Sequence, residues 1–175
     1  MPNKVSKPRI RKVRVPEGSL AARSFARVDY ADAYRLRLPD DAPHDIDSVT
    51  RAFCMARLGW VEALIWLRNR IVSVVHLKTE LPDQPQPITL EPGTYAYIFR
   101  IYQRAANEIL LGEDDRHLDY RVSVLVQQGQ HGWYATISTI VHFNNWLGRI
   151  YFVPVRPFHR LIVQAMMKTM FHRAG

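Results

Sequence analysis

A single cysteine, Cys54, stands in the 175-residue sequence, so no intramolecular disulfide can staple the chain and its stability needs no oxidising compartment. Its neighbours in AFCMARLGW are apolar, which reads as a small buried hydrophobe rather than a nucleophile. No run approaches the roughly 18 uninterrupted apolar residues that a bilayer-spanning helix needs. The N-terminal MPNKVSKPRIRKVRVPEG lacks an apolar stretch of signal-peptide length, so a cytoplasmic protein with no membrane span is expected. Acids are missing from the first 14 residues, where Lys4, Lys7, Arg9, Arg11, Lys12 and Arg14 supply six of the formal +8 charges. Basicity therefore belongs to a tail. That tail has no aromatic residue on which a base could stack, so specific nucleic-acid binding is not expected.

What is present suits one globular domain: 47% apolar and 23% charged residues on a chain long enough to bury a core. Residues 1–24 read as a flexible basic tail, interrupted by Pro2, Pro8, Pro16 and Gly18, and residues 25–175 as the domain. In YRLRLP, Tyr34, Leu36 and Leu38 alternate with Arg35 and Arg37, the period of a half-buried strand. DDAPHDID then offers carboxylates for a helix N-terminus. Between Ile46 and Val75 the apolar spacing becomes helical, with Gly59 as a break, and predicts two short helices or one broken helix.

TELPDQPQPITLEPG is a proline-rich loop. Four strand-like runs follow: TYAYIFRIYQR, ANEILLGEDD, LDYRVSVLVQQ and GWYATISTIVHFN, the last two joined by the glycine-containing turn QGQHG. Short links without intervening helices predict an antiparallel meander. In PVRPFHRLIVQAMMKTMFHRAG, Pro157 suits a first helical turn and Phe158, Leu161, Ile162, Ala165, Met166 and Met170 make an apolar stripe. A helix over 158–173 is expected.

The order strand, helices, antiparallel strands, long terminal helix is an α+β arrangement. It is that of the helix-grip fold, a curved antiparallel sheet wrapped around a C-terminal helix. VDYADAYRLRLP, WVEALIWLRNRIV, FRIYQRAANEILLGEDDRHLDYRVSVLV and VRPFHRLIVQAMM together resemble the uncharacterised bacterial domain-of-unknown-function family 2867, grouped with the START and birch-pollen-allergen-like (SRPBCC) superfamily. The resemblance runs from about Asp29 to Met170, and EILLGEDDRHLDYRVSV is its most specific piece. It implies a cavity for an apolar or amphipathic small molecule. Some relatives look like cyclases or hydrolases, and no catalytic motif transfers residue by residue.

The expected pocket lies between sheet and terminal helix, lined by Phe99, Ile101, Val122, Val124, Trp133, Ile137, Phe158, Ile162, Met166 and Met170. GEDDRHLD is dense in carboxylate and imidazole, but lacks metal-ligand spacing such as H-x-x-x-H. It reads as a charged hairpin tip, with Asp119 and Arg121 laddered on the outer face. His117, Asp119, Asn145 and Trp146 are the candidate polar site, and Asn145 and Trp146 lie near the expected cavity mouth. His159 and His142 are expected to face outward. The expectation is a non-catalytic domain binding a small hydrophobic ligand, without metal or cofactor. The alternatives are a cyclase- or hydrolase-like enzyme in the same pocket, and an interaction module using the basic tail. Homodimerisation is left open.

Overall fold

The computed structural model describes residues 9–56, 89–96 and 99–170. In chain order they form β1 (Ile10–Val13), a 3-10 turn (Ala21–Arg23), β2 (Tyr30–Arg37), α1 (Ile46–Cys54), β3 (Tyr95–Ala96), β4 (Phe99–Arg104), β5 (Glu108–Asp114), β6 (Leu118–Gly129), β7 (Gly132–Phe143) and α2 (Trp146–Thr169). Seven strands make one antiparallel sheet in the order β1-β2-β7-β6-β5-β4-β3. This α+β chain, an antiparallel sheet followed by a C-terminal helix, is consistent with a helix-grip-like arrangement. Of the two helices expected after the first predicted strand, α1 is present, capped by the Asp45 carboxylate accepting from the Ser48 N–H at 2.8 Å. The remainder of that helical stretch lies outside the described residues.

TYAYIFRIYQR is two strands rather than one. β3 and β4 pair antiparallel with Ala96 opposite Phe99. Ala96 and Ile101 are both buried in the same core, which residues of even and odd number cannot share along one continuous strand.

The strand register sorts side chains into rows. On the inner face, Tyr34, Ile137, Val124 and Ile109 stand side by side, and so do Asp32, Thr139, Val122, Leu111 and Ile101. α1 and the end of α2 cover this face, bringing Val49, Phe53, Cys54, Val163, Met167 and Met170 into one cluster with the strands. Burial pushes the Cys54 thiol up to about 12, in line with its reading as core.

The outer face is buried as well, which alternation alone does not predict. Residues 10–24, expected within the tail, supply β1 and the 3-10 turn. β1 pairs with β2, Ile10 opposite Leu36. The following segment crosses β5, β6 and β7, packing Val15, Leu20, Ala21 and Phe25 against Leu110 and Ile140. Glu108 anchors it: its carboxylate accepts the N–H groups of Leu20 (2.8 Å) and Ala21 (3.2 Å) and the Ser123 hydroxyl (2.5 Å). Arg121, expected on a solvated ladder, is buried instead. Its guanidinium stacks 3.5 Å above the Tyr102 ring and binds Asp114 at 2.7 Å.

α2 begins twelve residues earlier than expected. Asn145 caps it, accepting from the Gly148 N–H at 3.1 Å, and its 24 residues span roughly 36 Å at 1.5 Å each. Pro154 and Pro157 lie inside the helix, on its exposed side. The carbonyls of Ile150 and Val153, which lose their usual donors to these prolines, therefore face water, and a helix can curve around such a point.

The apolar stripe is also misplaced. Phe158 is 48% exposed whereas Met167 is 0% exposed. Met167→Ala should therefore destabilise the protein by about 3 kcal/mol through the cavity it leaves, while Phe158→Ala should cost under ~0.5 kcal/mol. Urea unfolding of the two variants checks this, and comparable losses would restore the stripe through Phe158.

Candidate functional site

Beneath α2 the inner sheet face carries one inward carboxylate on β2. Strand alternation sends Tyr30, Asp32, Tyr34 and Leu36 to the same side, and Asp32 is opposite Thr139 of β7. The Asp32 side chain is 1% exposed. The Tyr30 hydroxyl donates a short hydrogen bond to its Oδ2.

From above, α2 lowers His159 and Arg160 onto this pair. His159 Nε2 lies 3.1 Å from Thr139 Oγ1 and 3.6 Å from Asp32 Oδ1. Arg160 Nε donates to the Tyr30 hydroxyl at 3.3 Å, and the Arg156 guanidinium sits 5.2 Å from the Tyr30 ring centre. Among the described residues, Asp32 Oδ1 has no hydrogen-bond partner. A buried carboxylate oxygen in that condition is costly unless a donor reaches it.

Burial, with the Asp32 acceptor next, raises the Tyr30 phenol to about 12 against the pull of Arg160. Burial and then Asp32 also raise Tyr34. Tyr30 is thus a fixed donor to Asp32 at neutral pH. On the outer face burial, then hydrogen bonding to Asp114, lifts Tyr102 to about 12. Because a free phenol titrates near 10, the folded protein holds these two protons more tightly than the unfolded chain. Their contribution to stability is complete below about pH 10 and is lost as the pH rises towards 12. An ultraviolet titration should therefore show two tyrosines ionising near pH 12, with stability falling over the same interval. If every tyrosine of the folded protein titrates near pH 10, the two buried environments are wrong.

The four residues of the expected polar site do not line the Asp32 cluster. His117 Nδ1 meets the Asn145 side chain, 3.1 Å from its Nδ2 and 3.3 Å from its Oδ1. Asp119 Oδ1 accepts from the Asp115 N–H at 3.1 Å and from Asn144 Nδ2 at 3.0 Å. These bonds tie the β5–β6 turn to the start of α2. The approach is so close that a Cβ on Gly148 would stand 2.1 Å from the His117 carbonyl oxygen. His117, Asp119 and Asn145 are thus brought together as a latch, while Trp146 points out. No three His, Cys, Asp or Glu side chains converge as metal ligands among the described residues. His142, expected outward, is half-buried with its Nδ1 3.2 Å from Asp29 Oδ2.

Of the expected pocket set, Ile101, Val122, Val124, Ile137 and Met170 are core, with Phe99, Trp133 and Met166 packed against them. Ile162 is half-buried, and Phe158 faces out. Two surface clefts, of about 300 and 340 Å³, lie at the β6–β7 hairpin and between His44, Arg104 and Trp133. Neither is lined by Asp32 or His159.

Tyr30, Asp32, Tyr34, Thr139 and Arg160 were not among the expected site residues. The signal for Asp32 is in YADAYRLRLP, where it is the one acid in phase with Tyr34, Leu36 and Leu38. A helical stripe drawn through Phe158 turns His159 outward, whereas the one through Phe152, Val163 and Met167 turns it towards the sheet.

The chemistry open to this cluster is acceptance of a donor by Asp32 Oδ1, flanked by a phenol, an imidazole and a guanidinium. It is not a nucleophile relay, since one nitrogen of His159 faces both Thr139 and Asp32, whereas a relay needs the imidazole to bridge its two partners through opposite nitrogens.

No helix among the described residues is long and apolar enough to cross a membrane. No curated protein matches the chain. A family model described as a protein of unknown function, DUF2867, matches residues 24–166. This covers most of the sequence, both strands that carry the Asp32 cluster and most of α2, and the chain belongs to that family.

Proposed function

We propose that this protein is a helix-grip domain of the SRPBCC type that binds a small amphipathic molecule between its sheet and α2. The observation carrying this reading is Asp32, whose Oδ1 is buried with no hydrogen-bond partner among the described residues, beside His159, Tyr30 and Arg160. A ligand hydroxyl or amine donating to that oxygen would satisfy it, and the surrounding apolar rows would take the ligand's hydrocarbon part. The described part of that space is packed, so binding involves movement of α2 or of side chains such as Met166 and Ile162, whose positions at the core margin leave them room to repack.

A thermal-shift screen of amphipathic alcohols, amines, fatty acids and aromatic polyketides tests the reading. A ligand at 100 times its Kd adds about 2.7 kcal/mol, a rise of roughly 5–10 °C for a chain of this size. Asp32→Asn should reduce that rise for hydroxyl and amine ligands and leave fatty acids less affected. Absence of any stabilising compound, or equal shifts in the variant, would sink the proposal. A hydrolase or cyclase reading would use His159 as a base on a water or substrate rather than in a relay, and hydrolysis of a bound ester abolished by His159→Ala would favour it.

A further inference from the structure

α2 has a second apolar face. Trp146, Ile150, Val153, Phe158 and Leu161 are 48–72% exposed, and Pro154 and Pro157 are exposed among them. Their spacing of i, i+4, i+7, i+8, i+11, i+12 and i+15 is that of one continuous helical stripe. It lies on the side of α2 opposite Phe152, His159, Val163 and Met167, which face the sheet. Arg149, Arg156 and Arg160, at i, i+7 and i+11, run along one flank of it. α2 contains no acid, and none follows Asp119 in the sequence, where Arg121, Arg149, Arg156, Arg160, Lys168 and Arg173 all occur. β1, packed beside α2, adds exposed Arg11 and Lys12.

We propose that this face of α2 lies on the surface of an anionic phospholipid bilayer. The apolar stripe would enter the headgroup–acyl boundary and the arginines would meet lipid phosphates, the pattern of an interfacial amphipathic helix. Charge decides between occupants. A second copy pairing through the same face would set arginines against arginines. Residues 57–88 of this chain carry four basic and three acidic residues, a net positive charge that does not complement the arginines. Arg156 and Arg160 also border Tyr30 of the Asp32 cluster, but the apolar stripe does not touch that cluster and the proposal does not depend on the ligand reading.

The test is flotation of the full chain with phosphatidylcholine vesicles and with vesicles containing phosphatidylglycerol, alongside Ile150→Glu/Val153→Glu. The chain should float with the anionic vesicles and do so less as salt is raised. The double variant should lose at least about tenfold in partitioning with an unchanged melting temperature. Any of five results overturns the proposal: no flotation with either vesicle, equal flotation with both, a variant that floats like the parent, a variant whose melting temperature falls by many degrees because its own chain covers the stripe, or a dimer in ultracentrifugation that the variant dissociates.

Discussion

Glu108→Ala should be among the most damaging single substitutions in this protein, costing about 4 kcal/mol or more of folding stability. The glutamate is 4% exposed and accepts from Leu20, Ala21 and Ser123. Truncating it leaves two backbone N–H groups and one hydroxyl without an acceptor, each worth roughly 1–3 kcal/mol when buried. The expected fall in melting temperature is on the order of 10 °C. Glu108→Gln, which keeps one acceptor oxygen, should lose less than the alanine variant. Calorimetry on both checks the ranking. If the alanine variant melts within a degree or two of the parent, the N-terminal segment is not held by this carboxylate.

A larger loss is expected from removing the segment itself. A chain beginning after residue 24 loses β1, which pairs over four residues with β2. It also loses the Leu20 and Ala21 donors to Glu108 and the cover over Leu110 and Ile140. A buried carboxylate, Ser123 and an apolar sheet face would be exposed together, and β2 would become an open edge able to pair with other chains. The expected result is aggregated or unfolded protein. A chain beginning at Arg9 should fold normally. Circular dichroism and size-exclusion chromatography of the two truncations separate the outcomes. Normal folding of the shorter chain would return residues 10–24 to the status of a tail.

The strands were legible because alternation is a direct record of which residues face inward. YRLR, LDYRVSVLVQQ and GWYATISTIVHF lie in strands as their period of two predicts, and EILLGED is a strand although it does not alternate. Alternation does not say what covers each face. Arg121, Ser123 and Thr136 read as a solvated side, yet the N-terminal segment buries the first two from outside. That segment left little signature of its own, since an edge strand is held by backbone hydrogen bonds that any of Ile10, Arg11, Lys12 and Val13 can make. The helix failed for a different reason. α2 is apolar on two opposite sides, so a period of 3.6 fits the stripe through Phe158 and the stripe through Met167 equally well. The first stripe turns His159 and Arg160 outward, away from Asp32. Pro157 mimics a helix start, although Asn145 twelve residues earlier has the cap chemistry.

The sheet order sets a timetable for synthesis. β2 lies between β1 and β7, and Asp29 accepts the Phe143 N–H from 114 residues further along the chain. On a ribosome adding about 5–20 residues per second, the first two strands emerge roughly 5–20 s before their central partner exists. During that interval β4, β5 and β6 can zip up as neighbouring hairpins, whereas Tyr34, Leu36 and Leu38 must wait without β7 beside them. The basic residues at positions 4–14 travel with this waiting strand and keep it electrostatically repelled from its own copies on adjacent ribosomes.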